Sequence, residues 1–349
     1  MCAVANIVAT ATAVPQYRLN QNEVVERAAL LFGPSFERLR PVFANSGIIS
    51  RYSPVPLDWF AEPHDWAERN RCYLAAAVDL LERVAGSLLD RAEMLPREIG
   101  GIVVVSTTGI ATPSLDAVLL DRLSLPRTVQ RLPIFGLGCA GGAIGLARAA
   151  ALAATMPDKA VLFLVVELCT LSFRLDEAKS NIVAAALFGD GAAGAMLRCG
   201  GRGPAIVASG EYTWPQSLDV MGWEVASDGL KAIFSRDIPR LVATELCGVA
   251  RDFLRGHGLS LADVDRFICH PGGPKVIEAC EQAFGIEPGT LVVERNVLRD
   301  FGNMSAATVL FVLDAILACG GAAGDSWQRA LICALGPGFS VGFTLLADQ

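Results

Sequence analysis

The feature of this sequence that most constrains its fold is an internal repeat with an offset of 164 residues. The segment V-V-V-S-T-T-G around Ser106 resembles F-I-C-H-P-G-G, which contains His270. The same offset pairs Cys139 in F-G-L-G-C-A-G-G with Asn303 in R-D-F-G-N-M-S-A, and both segments lead into Ala-rich helical patterns. Such repetition indicates a duplicated unit whose equivalent points meet at a pseudo-twofold centre. We therefore expect Cys139 and Asn303 to face each other at paired helix starts.

The order of apolar patterns places each unit in the α/β class. Residues 102–106 and 160–167 are continuous β-branched apolar runs, as expected for strands covered on both faces. A helical pattern at 142–154 lies between them. Residues 186–196 and 334–343 resemble each other as strand–turn–strand pieces. This alternation of strands and helices predicts α/β layers.

The chain of 349 residues is long enough for two fused units of this kind. We expect a first half at 1–200 that carries Cys139. The second half, at 201–349, then carries His270 and Asn303.

Composition narrows the classes of partner and compartment. Mean hydropathy is high at +0.43, but the most apolar stretches, 145–171 and 306–319, are interrupted by charges or too short to span a membrane. The chain start lacks a basic segment before its apolar run, so we expect no secretory signal and a cytoplasmic location. A net charge of −7 argues against a nucleic-acid partner. The ten cysteines include no C-x-x-C pair, which indicates reduced thiols rather than disulfides or a zinc site.

Cys139 has the sequence setting of a nucleophile. Unpaired N–H groups at a helix start favour thiolate over thiol, and the flanking glycines leave room for a substrate carbonyl beside the sulfur. The alternative is a small buried cysteine in a tightly packed helix start, as the nine other cysteines of the chain illustrate.

His270 and Asn303 are the candidate partners of this cysteine. His64 and His257 lie in polar, turn-rich segments, whereas His270 ends a buried strand and precedes P-G-G-P. Ligand sites of open α/β sheets form at that strand edge, with a core histidine as the alternative. Asn303 either caps its helix or acts with Cys139. A Cys–His–Asn set permits covalent acyl chemistry, with imidazole beside the thiolate and two donors for an oxyanion.

The motifs that carry chemistry occur in a known order. This chain resembles the type III polyketide synthases, the chalcone synthase family, over almost its whole length through G-C-A-G-G, A-L-F-G-D-G-A-A, I-C-H-P-G-G-P, F-G-N-M-S-A-A and L-G-P-G-F. The resemblance implies a five-layered αβαβα thiolase-like fold of two pseudo-symmetric halves, and a homodimer. It also implies an acyltransferase that condenses acyl-CoA with malonyl-CoA and needs no metal or redox cofactor.

Family roles carry over motif by motif. By this resemblance Cys139 holds the starter acyl group and then the growing chain. His270 and Asn303 hold the malonyl thioester carbonyl and stabilise the enolate formed as carbon dioxide leaves. Phe188 in A-L-F-G-D-G matches the family's gatekeeping phenylalanine between the acyl-binding tunnel and the active-site cavity, with core packing as the alternative.

Two further features are assigned to substrate binding by the same resemblance. Ser305 belongs to the G-N-M-S motif. The turn Gly336-Pro337-Gly338 matches a loop that shapes the family's cavity, although structural support alone explains it equally well.

Departures from the plant members favour a long aliphatic starter. Ala232 aligns with a phenylalanine that lines the plant cavity, which predicts a wider cavity here. Thr112 stands where plant enzymes have a methionine that reaches across the dimer, and Ser172 lies near a position that tunes cavity volume. The chain is most similar to bacterial alkylpyrone and alkylresorcinol synthases, so we expect a product of that class.

The contacts to coenzyme A are the least defined part of the resemblance. Only Arg38 aligns with the family's basic cluster, while Arg40 and Arg51 are either further phosphate contacts or ordinary surface charges. A thin basic cluster leaves delivery of the starter by an acyl carrier protein as an alternative.

Three other functions fit parts of the pattern. A β-ketoacyl synthase III-like enzyme would perform one condensation and stop. An inactive thiolase-fold partner subunit would only bind acyl groups. A Cys–His–Asn hydrolase would need to admit water, which an apolar tunnel does not favour.

Overall fold

The computed structural model of the protein describes residues 4–176, 178–319 and 327–348. The strands are β1 (Ala5–Ala13), β2 (Tyr17–Asn20), β3 (Ser50–Ser53), β4 (Ile99–Val105), β5 (Gln130–Ile134), β6 (Ala160–Leu168), β7 (Asp190–Cys199), β8 (Ala205–Thr213), β9 (Met221–Ala226), β10 (Gly229–Phe234), β11 (Arg266–Cys269), β12 (Arg329–Gly336) and β13 (Ser340–Ala347). The helices are α1 (Gln21–Phe32), α2 (Arg40–Ala44), α3 (Trp66–Arg91), α4 (Leu115–Arg122), α5 (Gly141–Ala154), α6 (Lys179–Leu187), α7 (Ile238–Arg255), α8 (Pro274–Phe284), α9 (Val292–Phe301) and α10 (Thr308–Cys319).

The main sheet contains the same strand arrangement twice. Its order is β11-β12-β13-β8-β1-β7-β6-β4-β5, so β8-β13-β12-β11 in the second half repeats β1-β7-β6-β4 in the first. The directions also agree, because β4–β6 and β11–β12 are parallel whereas β6–β7 and β12–β13 are antiparallel. A single bridge between Asn6 and Ala205 joins the halves at β1 and β8. The duplication inferred from the sequence is therefore present in the topology.

The helices complete five layers. α3 and α4 cover the outer face of the first half, and α7 and α8 cover that of the second. α5 contacts strands of both halves and also α10, so these two helices form the central layer. Their side chains, such as Leu146 and Val309, share one core with Phe163 of β6 and Ile332 of β12. Central helices must be apolar on nearly every side, which accounts for the high mean hydropathy.

The start of α5 contacts the turn that precedes α10 at equivalent positions. Gly142 and Ala306 are related by the offset of 164 residues. A side chain at Gly142 would collide with the carbonyl oxygen of Ala306, so only glycine permits this approach. Each helix is preceded by a 3₁₀ turn, at Gly138–Ala140 and Ser305–Ala307. The predicted pairing of the two helix starts is confirmed.

The repeat is incomplete in two places. β5 has no strand counterpart in the second half, where α9 occupies the corresponding part of the chain. The strand–turn–strand prediction for 186–196 is wrong in its first piece, because Ala186 and Leu187 end α6. The Ala-rich sequence of α6 has high helix propensity, which explains the difference. The division of the chain at residue 200 stays a prediction.

The two apolar stretches of the sequence supply buried elements of the core, and the loop at 157–159 that interrupts the first is exposed. Residues 145–171 include most of α5 and all of β6, and 306–319 include α10. In the described ranges, no helix is both long and apolar enough to cross a bilayer.

Candidate active site

The candidate nucleophile lies in a turn that glycine makes possible. Cys139 occupies the 3₁₀ turn Gly138–Ala140 directly before α5. Gly138 has a φ of 48°, in the left-handed region that a residue with a side chain rarely adopts. Its N–H donates to Thr107 Oγ1 over 3.2 Å, which ties the turn to the end of β4. The sulfur position is therefore fixed by the backbone on both sides.

The Gly336-Pro337-Gly338 turn supports this loop from the second half. A side chain at Gly138 would meet the Pro337 ring at 2.6 Å, and one at Gly336 would meet the Leu137 carbonyl oxygen at 2.5 Å. The neighbouring Leu335, rather than the turn itself, lines the main cavity. The turn thus acts on the cavity through the loop that it holds.

The Cys139 thiol is buried and has one hydrogen-bond partner in the described structure. Its side chain lies 3.6 Å, Sγ to Oγ, from Ser305, and the residue is 8% exposed. Burial raises the thiol pKa to about 12, against a smaller lowering by the Ser305 hydroxyl. The expected lowering of this pKa by the helix start is wrong, because desolvation outweighs the helix dipole.

His270 lies at the end of β11 with both ring nitrogens free of partners. Its backbone N–H donates to the Cys333 carbonyl over 2.8 Å, which continues the strand pairing and fixes the side-chain direction. The residue is 3% exposed, and within the described ranges neither Nδ1 nor Nε2 has a hydrogen-bond partner. Burial lowers the imidazole pKa to about 4, so the ring is neutral near pH 7. A buried, unpartnered imidazole is costly unless a ligand satisfies it.

Asn303 is held more firmly than the histidine. Its N–H donates to the Leu187 carbonyl over 2.8 Å, and its carbonyl accepts from Gly189 over 3.0 Å. Oδ1 accepts from the Ser305 N–H over 2.9 Å, and Nδ2 donates to the Gly272 carbonyl over 3.2 Å. One amide hydrogen remains for a substrate oxygen, because the NH₂ group has two donors. The amide orientation is therefore set before any ligand binds.

The three side chains share one cavity. It has a volume of about 730 Å³, and Cys139, His270 and Asn303 all line it. A neutral thiol that shares a cavity with a neutral imidazole can lose its proton at acceptable cost only when the imidazole takes that proton, because both charges then arise together. The amide can donate to an oxyanion in the same space. This arrangement suits acyl transfer through a covalent thioester.

The families that match this sequence decide which of the alternative acyl-transfer functions applies. The family model described as "Chalcone and stilbene synthases, N-terminal domain" matches residues 67–201, and its C-terminal counterpart matches residues 205–348. The chain belongs to the chalcone and stilbene synthase family.

Individual relatives of this synthase family match along nearly the whole chain. A putative chalcone synthase of Bacillus subtilis strain 168 is 39% identical over 96% of each chain. The 1,3,6,8-tetrahydroxynaphthalene synthase of Streptomyces peucetius subsp. caesius is 36% identical over 98% of this chain and 92% of its own. The crystal structure of a bacterial type III polyketide synthase, the tetrahydroxynaphthalene synthase of Streptomyces coelicolor A3(2), matches with a TM-score of 0.92 and 26% identity over 99% of both chains. The fold is therefore thiolase-like, and the protein is a type III polyketide synthase, an acyl-transferring condensing enzyme.

Glu167 supports the nucleophile loop of the synthase from β6. Its Oε2 accepts hydrogen bonds from the Thr107 and Thr108 N–H groups and the Thr108 hydroxyl, and Thr107 in turn accepts from Gly138. Burial raises the Glu167 pKa to about 8, although these hydrogen bonds oppose the shift. The sequence analysis missed this residue, since a glutamate at the end of an apolar strand carries no distinctive pattern.

An aromatic wall borders the synthase cavity near Phe188. The Phe188 ring lies 5.6 Å from Phe234, which lines the main cavity, and 5.7 Å from Trp223, centroid to centroid. Ala232 is buried in this wall but lines neither cavity, and Trp223 is its register partner on β9. Aromatic side chains therefore surround Ala232, and the widening predicted from this position stays a prediction.

A second, smaller cavity lies behind this wall. Its volume is about 60 Å³, and its lining includes Phe188, Ser172 and Cys169. Most of the remaining lining is apolar, including Leu31, Phe60 and Phe173. Ser172 donates to the Cys169 carbonyl, so its hydroxyl is partnered locally. The structure thus brings Ser172 and Phe188 together on a cavity separate from Cys139.

Three other predicted positions lie outside both cavities, and a fourth, Arg51, lines the smaller one. Thr112 is exposed on the loop after β4, and Arg38 is exposed beside α2. Arg40 pairs with Glu37. Arg51 is wholly buried and donates to the carbonyls of residues 185, 186 and 188, so it holds the end of α6 rather than a phosphate. Its role as a phosphate contact is therefore wrong.

Three cations at the cavity were missed. Lys179, Arg236 and Lys275 line the same cavity as the catalytic set. Lysine scarcity could have drawn attention to them, because the sequence has only four lysines. Among the described residues no group of three or more histidine, cysteine or acidic side chains is placed to hold a metal ion.

Proposed function

We propose that the synthase loads an acyl-CoA starter on Cys139, extends it repeatedly with malonyl-CoA and closes the chain to an alkylpyrone or alkylresorcinol. The observation that carries this proposal is the single cavity of about 730 Å³ in which thiol, unpartnered imidazole and oriented amide meet. No residue of that set needs a resident metal or redox cofactor for the chemistry described below.

Loading begins with proton transfer. The Cys139 thiol gives its proton to His270, and the thiolate attacks the starter thioester carbonyl. The carbon–sulfur bond to coenzyme A then breaks, and the departing thiolate takes the proton from the imidazolium. The thiol and the imidazole carry no charge before the proton moves, and the thiolate and imidazolium then form together as an ion pair. This suits a site in which each of the two groups alone is neutral.

Extension uses the two donors of the second half. The malonyl carboxylate leaves as carbon dioxide, and its bonding electrons form an enolate whose oxygen accepts from the His270 N–H and the free amide hydrogen of Asn303. The enolate carbon attacks the Cys139 thioester and expels the thiolate. The lengthened chain, now on coenzyme A, returns to Cys139 for the next cycle.

The second cavity supports an aliphatic starter. Its lining is mainly apolar, and Phe188 separates it from the reaction cavity. Alkyl chains gain about 0.8 kcal/mol for each methylene removed from water, so an apolar cavity behind Phe188 favours starters long enough to pass that ring. Two groups of relatives point in different directions: a relative 28% identical is named for α-pyrone synthesis, whereas the tetrahydroxynaphthalene synthases are named for another product.

Mass spectrometry of products tests both parts of the proposal. Purified protein is given malonyl-CoA with acyl-CoA starters of increasing length, and we expect pyrones or resorcinols that are most abundant with long starters. Trp223→Ala should move the preferred starter to greater length by opening the wall, whereas Trp214→Ala, which removes an indole elsewhere, should not. A product with one added two-carbon unit would instead support a β-ketoacyl synthase. No product with any starter would support an acyl-binding partner subunit.

We also propose that the functional unit is a homodimer. β5 is the edge strand of the main sheet, and most of its side chains are exposed. Leu132, Phe135 and Ile110 leave 38%, 63% and 47% of their surface exposed at this edge, which is unusual for large apolar side chains. Thr112 lies on the same loop as Ile110. Light scattering after size exclusion should give twice the chain mass, and Phe135→Glu should shift it toward the monomer.

A further inference from the structure

The second cavity, behind Phe188, is too short to enclose a long alkyl tail. Its volume is about 60 Å³. A water-sized group needs about 10–15 Å³ of cavity volume, so the cavity holds about four to six such groups. A methylene group is of similar size. A hexanoyl tail therefore fits, whereas the tail of a palmitoyl starter must leave the cavity at the end opposite Phe188, which we call the outer end.

An ion pair crosses this outer end. Arg27 of α1 lines the second cavity and is partly exposed to solvent, whereas Phe188 is buried. The Arg27 guanidinium pairs with the carboxylate of Asp58, which is mostly exposed. Asp58 belongs to the turn Leu57–Ala61, and Leu57 also lines the cavity. The ion pair thus links α1 to this turn at the solvent end of the cavity.

The two elements that the ion pair links pack in different cores. Ala28 and Phe32 of α1 pack in a small core with Phe43. Phe60 of the turn belongs instead to the outer core of the first half, together with Leu80 of α3. Separation of the charged groups therefore need not disrupt either core. An exposed ion pair contributes little net free energy, so opening this one has a low cost.

An exposed leucine extends the apolar surface beyond the ion pair. Leu30 of α1 is 80% exposed, although its neighbour Leu31 lines the second cavity. Residues three apart lie on the same side of a helix, so Leu30 lies beside Arg27 on the outside of α1. An alkyl tail that passes the ion pair can therefore cover this side chain, and the contact removes apolar surface of both from water.

We propose that the Arg27–Asp58 ion pair closes the outer end of the second cavity and opens only for starters whose tails exceed the cavity, which then lie against Leu30. This inference rests on the proposed function for the nature of the ligand. The ion pair and Leu30 contact the far end of the tail and not the reacting groups at Cys139. They are therefore residues that determine which starter is preferred, and they take no part in the chemistry.

Competition between hexanoyl-CoA and palmitoyl-CoA tests the role of the ion pair. Asp58→Asn should raise the ratio of kcat/KM for palmitoyl-CoA to that for hexanoyl-CoA about two- to fivefold, because long tails no longer have to separate two charges. Added salt should raise the same ratio in the wild type but not in the variant. Asp252→Asn is the matched control, since it removes an exposed ion pair to Arg255 within α7. An unchanged ratio in Asp58→Asn, or an equal loss with both starters, would overturn the proposal.

The same ratio tests the path of the tail along α1. Leu30→Gln should lower the preference for palmitoyl-CoA about threefold, because the tail loses an apolar contact outside the cavity. Leu218→Gln is the control, since Leu218 is 83% exposed and lines neither cavity. An equal ratio in Leu30→Gln and the wild type would show that the tail does not lie against α1, which contradicts that part of the proposal.

Calorimetric titration of the full-length protein with free decanoate and hexanoate separates this inference from the proposed function, because it requires no turnover. Decanoate exceeds the second cavity and hexanoate does not. Asp58→Asn should bind decanoate about two- to fivefold more tightly than the wild type does, with a smaller change for hexanoate. Equal affinity of both proteins for decanoate would overturn the proposal. If the affinities differed as expected but no starter gave a product, only the proposed function would fail.

Discussion

The first half of the molecule places a cysteine at the start of its central helix, and the second half places an asparagine at the equivalent start. Cys139 and Asn303 are related by the repeat offset and line one cavity. Among the residues that the structure describes, the cysteine thiol has only the Ser305 hydroxyl as a hydrogen-bond partner, whereas the asparagine is fixed by four hydrogen bonds. One half thus supplies a group that must form and break a bond, and the other supplies a group that must keep its place.

The strand ends show the same contrast. Ser106, which follows β4, accepts a hydrogen bond from the Tyr73 hydroxyl over 2.7 Å. His270, at the equivalent position after β11, has no ring partner. The two halves therefore share a backbone arrangement but differ in function. The difference is that the Ser106 side chain is hydrogen-bonded within the protein, whereas the His270 ring is left to bind a ligand.

The largest expected effect comes from removing the bond-forming group. Cys139→Ala should lower product formation by at least about 10⁴-fold, because no covalent intermediate can form. Decarboxylation of malonyl-CoA should remain measurable, since its donors lie in the second half. Cys247→Ala, the same change on α7, is the control, and release of carbon dioxide measured beside product mass separates the steps. Loss of both reactions in Cys139→Ala would contradict the assignment of bond formation to the first half and of decarboxylation to the second.

Removing the fixed amide should affect the other reaction first. Asn303→Ala should slow malonyl-CoA decarboxylation by about 10²–10³-fold, the usual effect of one lost oxyanion donor. Starter loading, followed as acylated protein by intact mass, should be retained. Asn296→Ala removes an exposed amide on α9 and should change neither rate. Unimpaired decarboxylation would show that Asn303 only holds the backbone.

The contact between the halves can be tested through stability. Gly142→Ala should lower the free energy of unfolding by about 1–3 kcal/mol, because the added methyl group meets the Ala306 backbone. Gly86→Ala, in the outer helix α3 with open space around it, should raise it by about 0.5–1 kcal/mol. Urea titrations measure both. A neutral result at Gly142 would mean that the central helices separate readily.

The smallest expected effect concerns the neutral state of His270. Its pKa is about 4 when folded, below the ordinary value of 6.5, so the unfolded chain binds more protons between those values. Stability should therefore fall as pH drops from 7 to 5, and this residue should account for about 2 kcal/mol of the loss. Urea titrations of His270→Gln at both pH values should show a loss smaller by that amount. An equal loss would mean that the imidazole titrates normally.

The features that could be predicted from the sequence are those that depend on local residue patterns. The repeat, the buried strands and the glycine-rich turn at Cys139 follow from spacing and residue type, and the structure has them. The family motifs located His270 and Asn303, which the fold brings onto one cavity.

The remaining features depend on contacts between distant segments. The Cys139 pKa was misjudged because burial by both halves, not the helix start, controls it. Arg51 looked like a surface cation, but it is buried by α6, more than a hundred residues further along the chain. Trp223 packs beside Ala232 only because β9 and β10 pair in that register.

The contact between Gly142 and Ala306 also bears on ancestry. In a dimer of identical chains, a pocket on the twofold axis must present every residue twice, so a cysteine there would always stand opposite another cysteine. Fusion of two copies into one chain removes that restriction, because each helix start can then change by itself. The sheet joined at Asn6 and Ala205 is in this sense the product of a gene duplication. That duplication allowed one catalytic position to diverge from its copy.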